Sequence, residues 1–178
     1  MCADSPLQDH CSFNSTQKAQ GRGDFRAIPN GVNGIGERMV LAFDSLVASG
    51  LATPMEYVRA VSTTAAQTFN VYPRKGVIAV GSDADVVIFN PQGRTTISAA
   101  THFSKSDTNV YEGRTAVGRV VFTISRGRLL WADGELACEA GTSRYVATPP
   151  FSPYLFPSAR PGASEERERD EQTVRDEL

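Results

Sequence analysis

The feature that most constrains the fold of this chain is a change of hydrophobic period near residue 75. Between residues 36 and 71 apolar side chains recur at helical spacing, whereas beyond residue 75 they alternate with a period of two and β-branched residues dominate. The two periods belong to different elements, because a helix repeats every 3.6 residues and a strand every two. Helices followed by a block of short strands predict an α+β order.

The helical region predicts three helices. The first has one apolar stripe, formed by Met39, Val40, Phe43, Leu46 and Val47. Gly50 stands where a C-terminal cap is expected. The second helix starts at Thr53, with Pro54 at the first helical position and Glu56 completing a capping box. A third short helix is predicted from Thr63 or Thr64, and its buried residues are expected to be Ala65, Ala66 and Phe69.

The second half of the chain predicts several short strands separated by turns. The segments with strand composition are residues 76–81, 84–89, 95–98, 119–125, 128–132 and 135–138. Arg126-Gly127 predicts a hairpin turn, and Asp133-Gly134 predicts a second turn. Strands of this length with frequent turns indicate an open sheet or a small sandwich.

Composition excludes several classes of function. Apolar residues make up 40% of the 178 residues and charged residues 21%, with a formal net charge of -2. This balance gives no reason to expect nucleic acid or an anionic membrane as a partner. No apolar run approaches a membrane span, and the start has no features of a signal peptide, so we expect a cytoplasmic protein. The cysteines, Cys2, Cys11 and Cys138, are widely spaced and are expected to be reduced thiols.

The last part of the chain differs from the rest. A proline-rich aromatic stretch covers residues 149–157, and a charged segment with little to bury follows it. We expect disorder from about residue 158. The final Arg175-Asp-Glu-Leu is close to a retrieval signal, but without a signal peptide we attribute it to chance.

A set of short motifs carries a family resemblance. These are Asp9-His-Cys-Ser-Phe-Asn, Gln17-Lys, Ile28-Pro-Asn-Gly-Val-Asn-Gly, Glu37-Arg-Met, Tyr72-Pro-Arg-Lys-Gly and Ile78-Ala-Val-Gly-Ser-Asp-Ala-Asp-Val-Val-Ile. In this order they resemble the C-terminal region of dihydropyrimidinases and hydantoinases, over roughly residues 9–156.

The resemblance implies a fold and a division of the chain. The family fold is a (β/α)8 metal-dependent hydrolase barrel with a small β-sandwich domain. Residues 1–71 would be the last active-site loop and closing helices of the barrel. Residues 72–146 would be the C-terminal strands of a composite sandwich, and residues 147–178 an extended tail. The helices around Phe43 and Phe69 would then cover a barrel wall that this chain does not supply.

The resemblance also implies site residues. Asp9 matches the family aspartate that is both a metal ligand and a catalytic base, in a centre of two divalent ions, usually zinc. Asn30 matches the residue whose main chain holds the cyclic amide or imide substrate. Such a centre also needs four histidines and a carboxylated lysine, and this chain has only His10 and His102, both expected to be structural. The chain would supply at most one ligand, and we expect it to be inactive by itself.

Alternatives to an amide hydrolase remain. The collapsin response mediator branch, a set of non-catalytic scaffold proteins, shares this fold. By resemblance, its members have Ala at the position of Asp9 and Glu at the position of Asn30. An allantoinase-like relative fits the motifs less well. Pro6, just before the expected site, is unusual for a barrel strand and suggests either an inactive truncated product or a mis-set start. The resemblance further implies a homotetramer, with residues 149–157 reaching a neighbouring subunit.

Overall fold

The computed structural model describes residues 9–156, in which the helices precede the strands. The helices are α1 (Ser15–Lys18), α2 (Arg38–Phe43), α3 (Pro54–Val58) and α4 (Thr64–Thr68). Two 3₁₀ turns, Ala19–Gly21 and Phe25–Ala27, lie between α1 and α2. A π turn, Asp44–Ala48, extends α2, and another, Arg59–Thr63, joins α3 to α4. None of these helices is long and apolar enough to cross a membrane.

The predicted helix boundaries are largely confirmed. Gly50 follows the α2 run with a φ of +79°. At the start of α3, the Thr53 hydroxyl accepts from the Glu56 N–H at 3.3 Å, and the Glu56 carboxylate accepts from the Thr53 N–H at 2.7 Å. The third helix is not separate, because the π turn makes residues 54–68 one continuous helical run. Phe69 is 50% exposed, so its predicted burial was wrong. Phe69 follows the last residue of α4, so helical spacing no longer places its side chain on the apolar face.

The strands form one four-stranded antiparallel sheet in the order β1-β2-β3-β4. They are β1 (Val86–Thr96), β2 (Thr115–Ser125), β3 (Arg128–Ala132) and β4 (Glu135–Leu136). The predicted hairpin is confirmed: Arg126 and Gly127 have φ of 51° and 78°, as the tight turn between β2 and β3 requires. Within residues 9–156 this sheet is an open meander, without the second layer of a sandwich.

Two strand predictions were wrong. Residues 76–81 form turns and unpaired chain, with Ile78 85% exposed. A strand needs a neighbour for its N–H and C=O groups, and no described segment lies beside this one in the sheet. Residues 95–98 do not start a new strand, because β1 continues to Thr96 through irregular pairing between Asn90 and Arg94.

Three aromatic rings join the helices to the sheet, and we call Phe43, Tyr57 and Phe89 the aromatic joint. The Phe43 ring centroid lies 5.5 Å from that of Tyr57 and 4.8 Å from that of Phe89. Phe43 is 7% exposed and Tyr57 5%. Phe43 is therefore covered by the sheet within this chain, while the expected barrel wall for these helices stays a prediction. Burial raises the pKa of the Tyr57 hydroxyl.

Other predictions fall partly or wholly outside the described residues. These are the predictions for Pro6, Cys2, the tail from about residue 158 and the final Arg175–Leu178 segment.

Residues 149–156 are described, and they fold back against the end of α4. The Ser152 hydroxyl, in a residue 2% exposed, donates to the Gln67 carbonyl. The Tyr154 ring meets the Tyr72 ring edge-on at 5.5 Å.

Candidate functional site

Asp9 and Asn30 belong to one segment, residues 9–35, which contains α1 and the two 3₁₀ turns and which we call the site loop. Both side chains are exposed. The two ends of the loop are paired, because the Cys11 N–H donates to the Val32 carbonyl at 2.9 Å. The structure therefore brings the segment after Asp9 against the segment after Asn30, although the two residues are far apart in sequence.

His10 fastens the same two segments through its ring. Its Nδ1 accepts from the main-chain N–H groups of Gly34 at 3.2 Å and Ile35 at 3.3 Å. A nitrogen that accepts carries no proton, so we assign the proton to Nε2, which lies 3.3 Å from the Ser12 hydroxyl. Both ring nitrogens are thus used in holding the loop. This agrees with the structural role predicted for His10.

Lys18 holds the main chain on both sides of Asn30. Its Nζ donates to the carbonyl of Pro29 at 2.6 Å and to that of Gly31 at 2.7 Å. The ammonium also lies 5.1 Å from the centre of the Phe13 ring, a cation–π distance. Within residues 9–156 the main-chain N–H and C=O of Asn30 itself have no hydrogen-bond partner. Among the described residues, the loop therefore presents one unpartnered donor and one unpartnered acceptor at Asn30.

Gly31 is required by the geometry beside Asn30. Its φ is +118°, and a Cβ placed there would lie 2.4 Å from the Cys11 carbonyl oxygen. That oxygen belongs to the backbone and cannot rotate away, so only glycine allows this approach.

A buried cluster of polar side chains joins Asn33, near the end of the loop, to later parts of the chain, and we call Asn33, Glu37 and Asn109 the amide cluster. Asn33 is 3% exposed, Glu37 6% and Asn109 8%. The Glu37 carboxylate accepts from the side-chain amide of Asn33 at 2.9 Å and from that of Asn109 at 2.6 Å. The Asn33 amide oxygen also accepts from the Val110 N–H at 2.9 Å. These bonds satisfy groups that would be costly to bury alone.

The amide cluster is part of a wider attachment between the site loop and the β1–β2 connection, residues 97–114. The Thr108 hydroxyl donates to the Phe13 carbonyl at 3.0 Å. Asp107 accepts from the Ser15 hydroxyl at 2.6 Å and from the Ser15 N–H at 2.7 Å, and these bonds lower the pKa of the Asp107 carboxyl. The connection after β1 thus supports the loop that carries Asp9 and Asn30.

His102 belongs to this connection and not to a strand. Its Nε2 lies 2.9 Å from the Ser106 carbonyl, which can only accept, so Nε2 carries the proton. Its Nδ1 then accepts from the Asn109 amide at 3.3 Å. The structural role predicted for His102 agrees with these contacts.

The motifs around residues 72–85 form a structural ionic cluster. Asp83 accepts from Arg74 at 2.9 Å and pairs with Lys75 at 2.8 Å, while Lys75 also pairs with Asp85. Lys75 and Arg74 lower the pKa of the Asp83 carboxyl. Asp85 in turn accepts from the Arg126 N–H at 2.7 Å, which ties this segment to the β2–β3 turn. The ion pairs of Arg74 and Lys75 thus serve the structure of this segment.

The described residues do not fit a binuclear metal centre by themselves. Among residues 9–156 no group of three or more His, Cys, Asp or Glu side chains could hold a metal ion. Asp9 is exposed, and both nitrogens of the adjacent His10 are engaged by the loop. A metal site needs several preoriented ligands, so these residues could supply no more than a single ligand from Asp9.

Sequence reasoning missed the residues that hold the site loop in place. Lys18 and Glu37 stand in the short motifs Gln17-Lys and Glu37-Arg-Met, so a signal for them was present without an indication of their role. Asn109 lies in a polar stretch with no periodicity, and its partner Asn33 is 76 positions away. Such a long-range pair has no local signal.

Comparison with known proteins agrees with this geometry. The amidohydrolase family pattern matches residues 9–129. A dihydropyrimidinase of Arabidopsis thaliana is 55% identical over 148 residues, which cover 83% of this chain and 28% of that protein. The dihydropyrimidinase-related protein 5 of Mus musculus is 38% identical over 148 residues, covering 83% of this chain and 26% of that protein.

A solved structure supports the same relationship. The dihydropyrimidinase of Brevibacillus agri superposes with a TM-score of 0.78 at 40% identity, and the match covers 89% of this chain and 33% of that one. The chain therefore spans about a third or less of the length of these relatives. Its helices and small antiparallel sheet fit part of a TIM-barrel hydrolase. The chain belongs to the amidohydrolase family, and within it to the dihydropyrimidinase and hydantoinase group.

Proposed function

We propose that this chain forms part of a metal-dependent cyclic amidohydrolase that opens the ring amide bond of 5,6-dihydropyrimidines or hydantoins. The observation that carries the proposal is the main chain of Asn30. Its N–H and C=O are unpartnered within residues 9–156, while the carbonyls on either side are bonded to Lys18. One donor beside one acceptor complements the –CO–NH– edge of a cyclic amide.

Asp9 is the proposed catalytic base and metal ligand. Its carboxylate is exposed and lies next to His10, whose ring fixes the adjacent main chain against residues 34–35. A hard anionic oxygen suits zinc and other divalent ions. We propose two such ions in the complete site, with the other ligands supplied from outside residues 9–156. This chain's part is to hold the carboxylate in place.

The architecture we propose is the last part of a (β/α)8 barrel, residues 1–71, followed by strands of a composite sandwich, residues 72–146. Residues 147–178 are then a tail. The exposed Ile78 and the unpaired residues 76–81 support a sandwich whose missing strand comes from elsewhere. We also propose a cytoplasmic protein with no nucleic-acid or membrane partner, as its composition favours.

The proposed oligomer is a homotetramer, and residues 149–156 are the segment proposed to contact a neighbouring subunit. Ser152 anchors this segment to α4, while Phe151 is 67% exposed and Leu155 54%. Apolar side chains of that size are costly to leave in water. Removing residues 147–178 should lower the mass of the assembled enzyme in light scattering, and an unchanged tetramer would contradict this proposal.

A non-catalytic scaffold of the collapsin response mediator type is the second candidate. By resemblance, that branch has alanine and glutamate at the two positions where this chain has Asp9 and Asn30. The lower identity to the mouse dihydropyrimidinase-related protein also favours the enzyme. Both residues therefore support hydrolysis over scaffolding.

The proposed function is tested in two forms of the protein. The purified chain alone should not hydrolyse dihydrouracil or hydantoin, because its described residues hold too few metal ligands. A full-length chimera, in which this chain replaces the 148 matching residues of the Arabidopsis dihydropyrimidinase, should hydrolyse dihydrouracil. Hydrolysis by the chain alone would refute its predicted inactivity. A folded, metal-loaded chimera without activity would favour the scaffold.

A further inference from the structure

We infer that Lys18 is a positioning residue for substrate binding, acting through the Pro29–Asn30 and Gly31–Val32 peptide groups, which lie before and after the Asn30–Gly31 peptide. The inference rests on the proposed function, since it assigns a purpose to the N–H and C=O of Asn30, which have no partner within residues 9–156. Lys18 does not itself touch substrate in this proposal. It sets where the binding edge lies and how strongly that edge donates.

The geometry of Lys18 is specific to Asn30. Its ammonium donates to the carbonyl before Asn30, from Pro29, and to the carbonyl after it, from Gly31. Two charge-assisted bonds from one ammonium hold the Pro29–Asn30 peptide, which carries the Asn30 N–H, and the Gly31–Val32 peptide, so the Asn30–Gly31 peptide lies between two held groups. The side chain is half-buried, and the Phe13 ring lies beneath the charge. The ammonium is therefore held between a ring and two carbonyls.

The bond to Pro29 also changes the chemistry of Asn30. The Pro29 carbonyl and the Asn30 N–H belong to the same peptide group, so a cation on the oxygen polarises the N–H. Hydrogen bonds in a chain strengthen one another in this way. The Asn30 N–H should therefore be a better donor to a substrate carbonyl when Lys18 is in place.

The contacts on the opposite side of the loop do not replace the two hydrogen bonds that Lys18 makes. Gly31 packs on the Cys11 main chain, and the Cys11 N–H is bonded to the Val32 carbonyl. The Asn30 segment is thus held from one side by main-chain contact and from the other by Lys18. Removing the ammonium should free the peptide groups of residues 29–31 without unfolding the loop.

The test uses Lys18→Met, Lys18→Arg and Arg26→Met in the chimera. Arg26 is the matched control, because it is a cation of the same loop whose side chain is bonded to Asp24. Lys18→Met should raise KM for dihydrouracil about tenfold with kcat changed by less than about twofold, as expected for loss of a charged hydrogen bond to the binding edge. Lys18→Arg should recover part of this loss, and Arg26→Met should change neither constant.

An unchanged KM in Lys18→Met, or equal effects of Lys18→Met and Arg26→Met, would overturn the inference. An inactive unsubstituted chimera would count against the proposed function instead. In that case carbonyl ¹³C NMR of the 178-residue chain tests separately whether Lys18 holds these carbonyls. Lys18→Met should shift the Pro29 and Gly31 carbonyl signals upfield and Arg26→Met should not; unmoved signals would overturn the inference.

Discussion

The aromatic joint and the site loop are held by opposite means. In the joint, the Phe43 ring is buried against Tyr57 and Phe89, and the contacts are apolar. The loop has little apolar burial, and Phe25 within it is 81% exposed. It is held instead by hydrogen bonds from His10, Lys18 and the amide cluster.

The difference shows where stability and function are separated in this chain. Apolar packing is non-directional and scales with the apolar area removed from water, and it joins the helices to the sheet. Hydrogen bonds are directional, so they can fix a peptide group such as that of Asn30 in a defined orientation. Substitutions in the joint should therefore lower stability, whereas substitutions in the loop should also impair substrate binding.

The largest effect is expected in the aromatic joint. Phe43→Ala should lower the free energy of unfolding by about 4 kcal/mol, because it empties a buried ring site. Urea denaturation of the chain measures this. Phe25→Ala is the matched control, because its ring is 81% exposed, and it should cost less than about 0.5 kcal/mol. Equal losses in the two variants would contradict the assignment of the core to this joint.

A slightly smaller effect is expected at Gly31. Gly31→Ala adds a Cβ 2.4 Å from the Cys11 carbonyl oxygen at a φ of +118°, and should cost about 3 kcal/mol through clash and backbone strain. The control is Gly23→Ala, where a Cβ meets nothing within 4 Å. Thermal unfolding of both variants measures the difference. If Gly31→Ala is as stable as Gly23→Ala, the tight approach to Cys11 is not present.

The amide cluster should give an intermediate effect. Asn109→Ala leaves Glu37 and Asn33 with lost partners in a buried site, and should cost about 2 kcal/mol. Asn90→Ala removes an exposed asparagine that also accepts from two main-chain N–H groups, and should cost less than about 1 kcal/mol. Urea midpoints compare the two. A neutral Asn109→Ala would show that the cluster does not hold the loop.

The smallest effect is expected at Asp44, which links the α2 run to β2. The Val117 N–H and the Arg114 guanidinium hold the pKa of the Asp44 carboxyl below its usual value. Because the pKa of this carboxyl is lower in the folded chain than in the unfolded chain, its ionised form stabilises the fold. This stabilisation is present above the unfolded pKa, near 3.9, and is lost as pH falls below it. Asp44→Asn should reduce the amount of stability that the chain loses at acid pH.

The measurement for Asp44 is the unfolding midpoint followed from pH 6 to pH 3. The substituted chain should lose less stability across this range than the unsubstituted chain. The control is Asp133→Asn, which removes an exposed carboxylate paired with Arg119 at the β3–β4 turn. Curves of the same slope for Asp44→Asn and the unsubstituted chain would contradict the link.

The sequence predicted the elements whose signal is local. The change of period placed helices before strands, the Thr53–Glu56 capping box located α3, and Arg126-Gly127 located the hairpin. Residues 76–81 misled because their strand composition says nothing about whether a neighbouring strand exists. The aromatic joint was missed for a related reason, since Phe43 and Phe89 are distant in sequence and meet only through the fold.

The site could be predicted only in part. Asp9 and Asn30 were identified through motifs, and their chemical roles stay predictions. The groups that hold them were not identified, because Lys18 acts on main-chain carbonyls and Asn33 meets Asn109 across 76 positions. Polar contacts of this kind depend on tertiary geometry, which hydrophobic periodicity does not encode.

Dihydrouracil hydrolysis by the chimera with and without Asp9→Ala tests the central claim most directly. We expect the unsubstituted chimera to be active and Asp9→Ala to lose at least about 1,000-fold in kcat/KM, as for removal of a residue essential to the reaction. Asp24→Ala, an exposed carboxylate of the same loop, should retain activity. Full activity in a folded Asp9→Ala chimera would contradict the account.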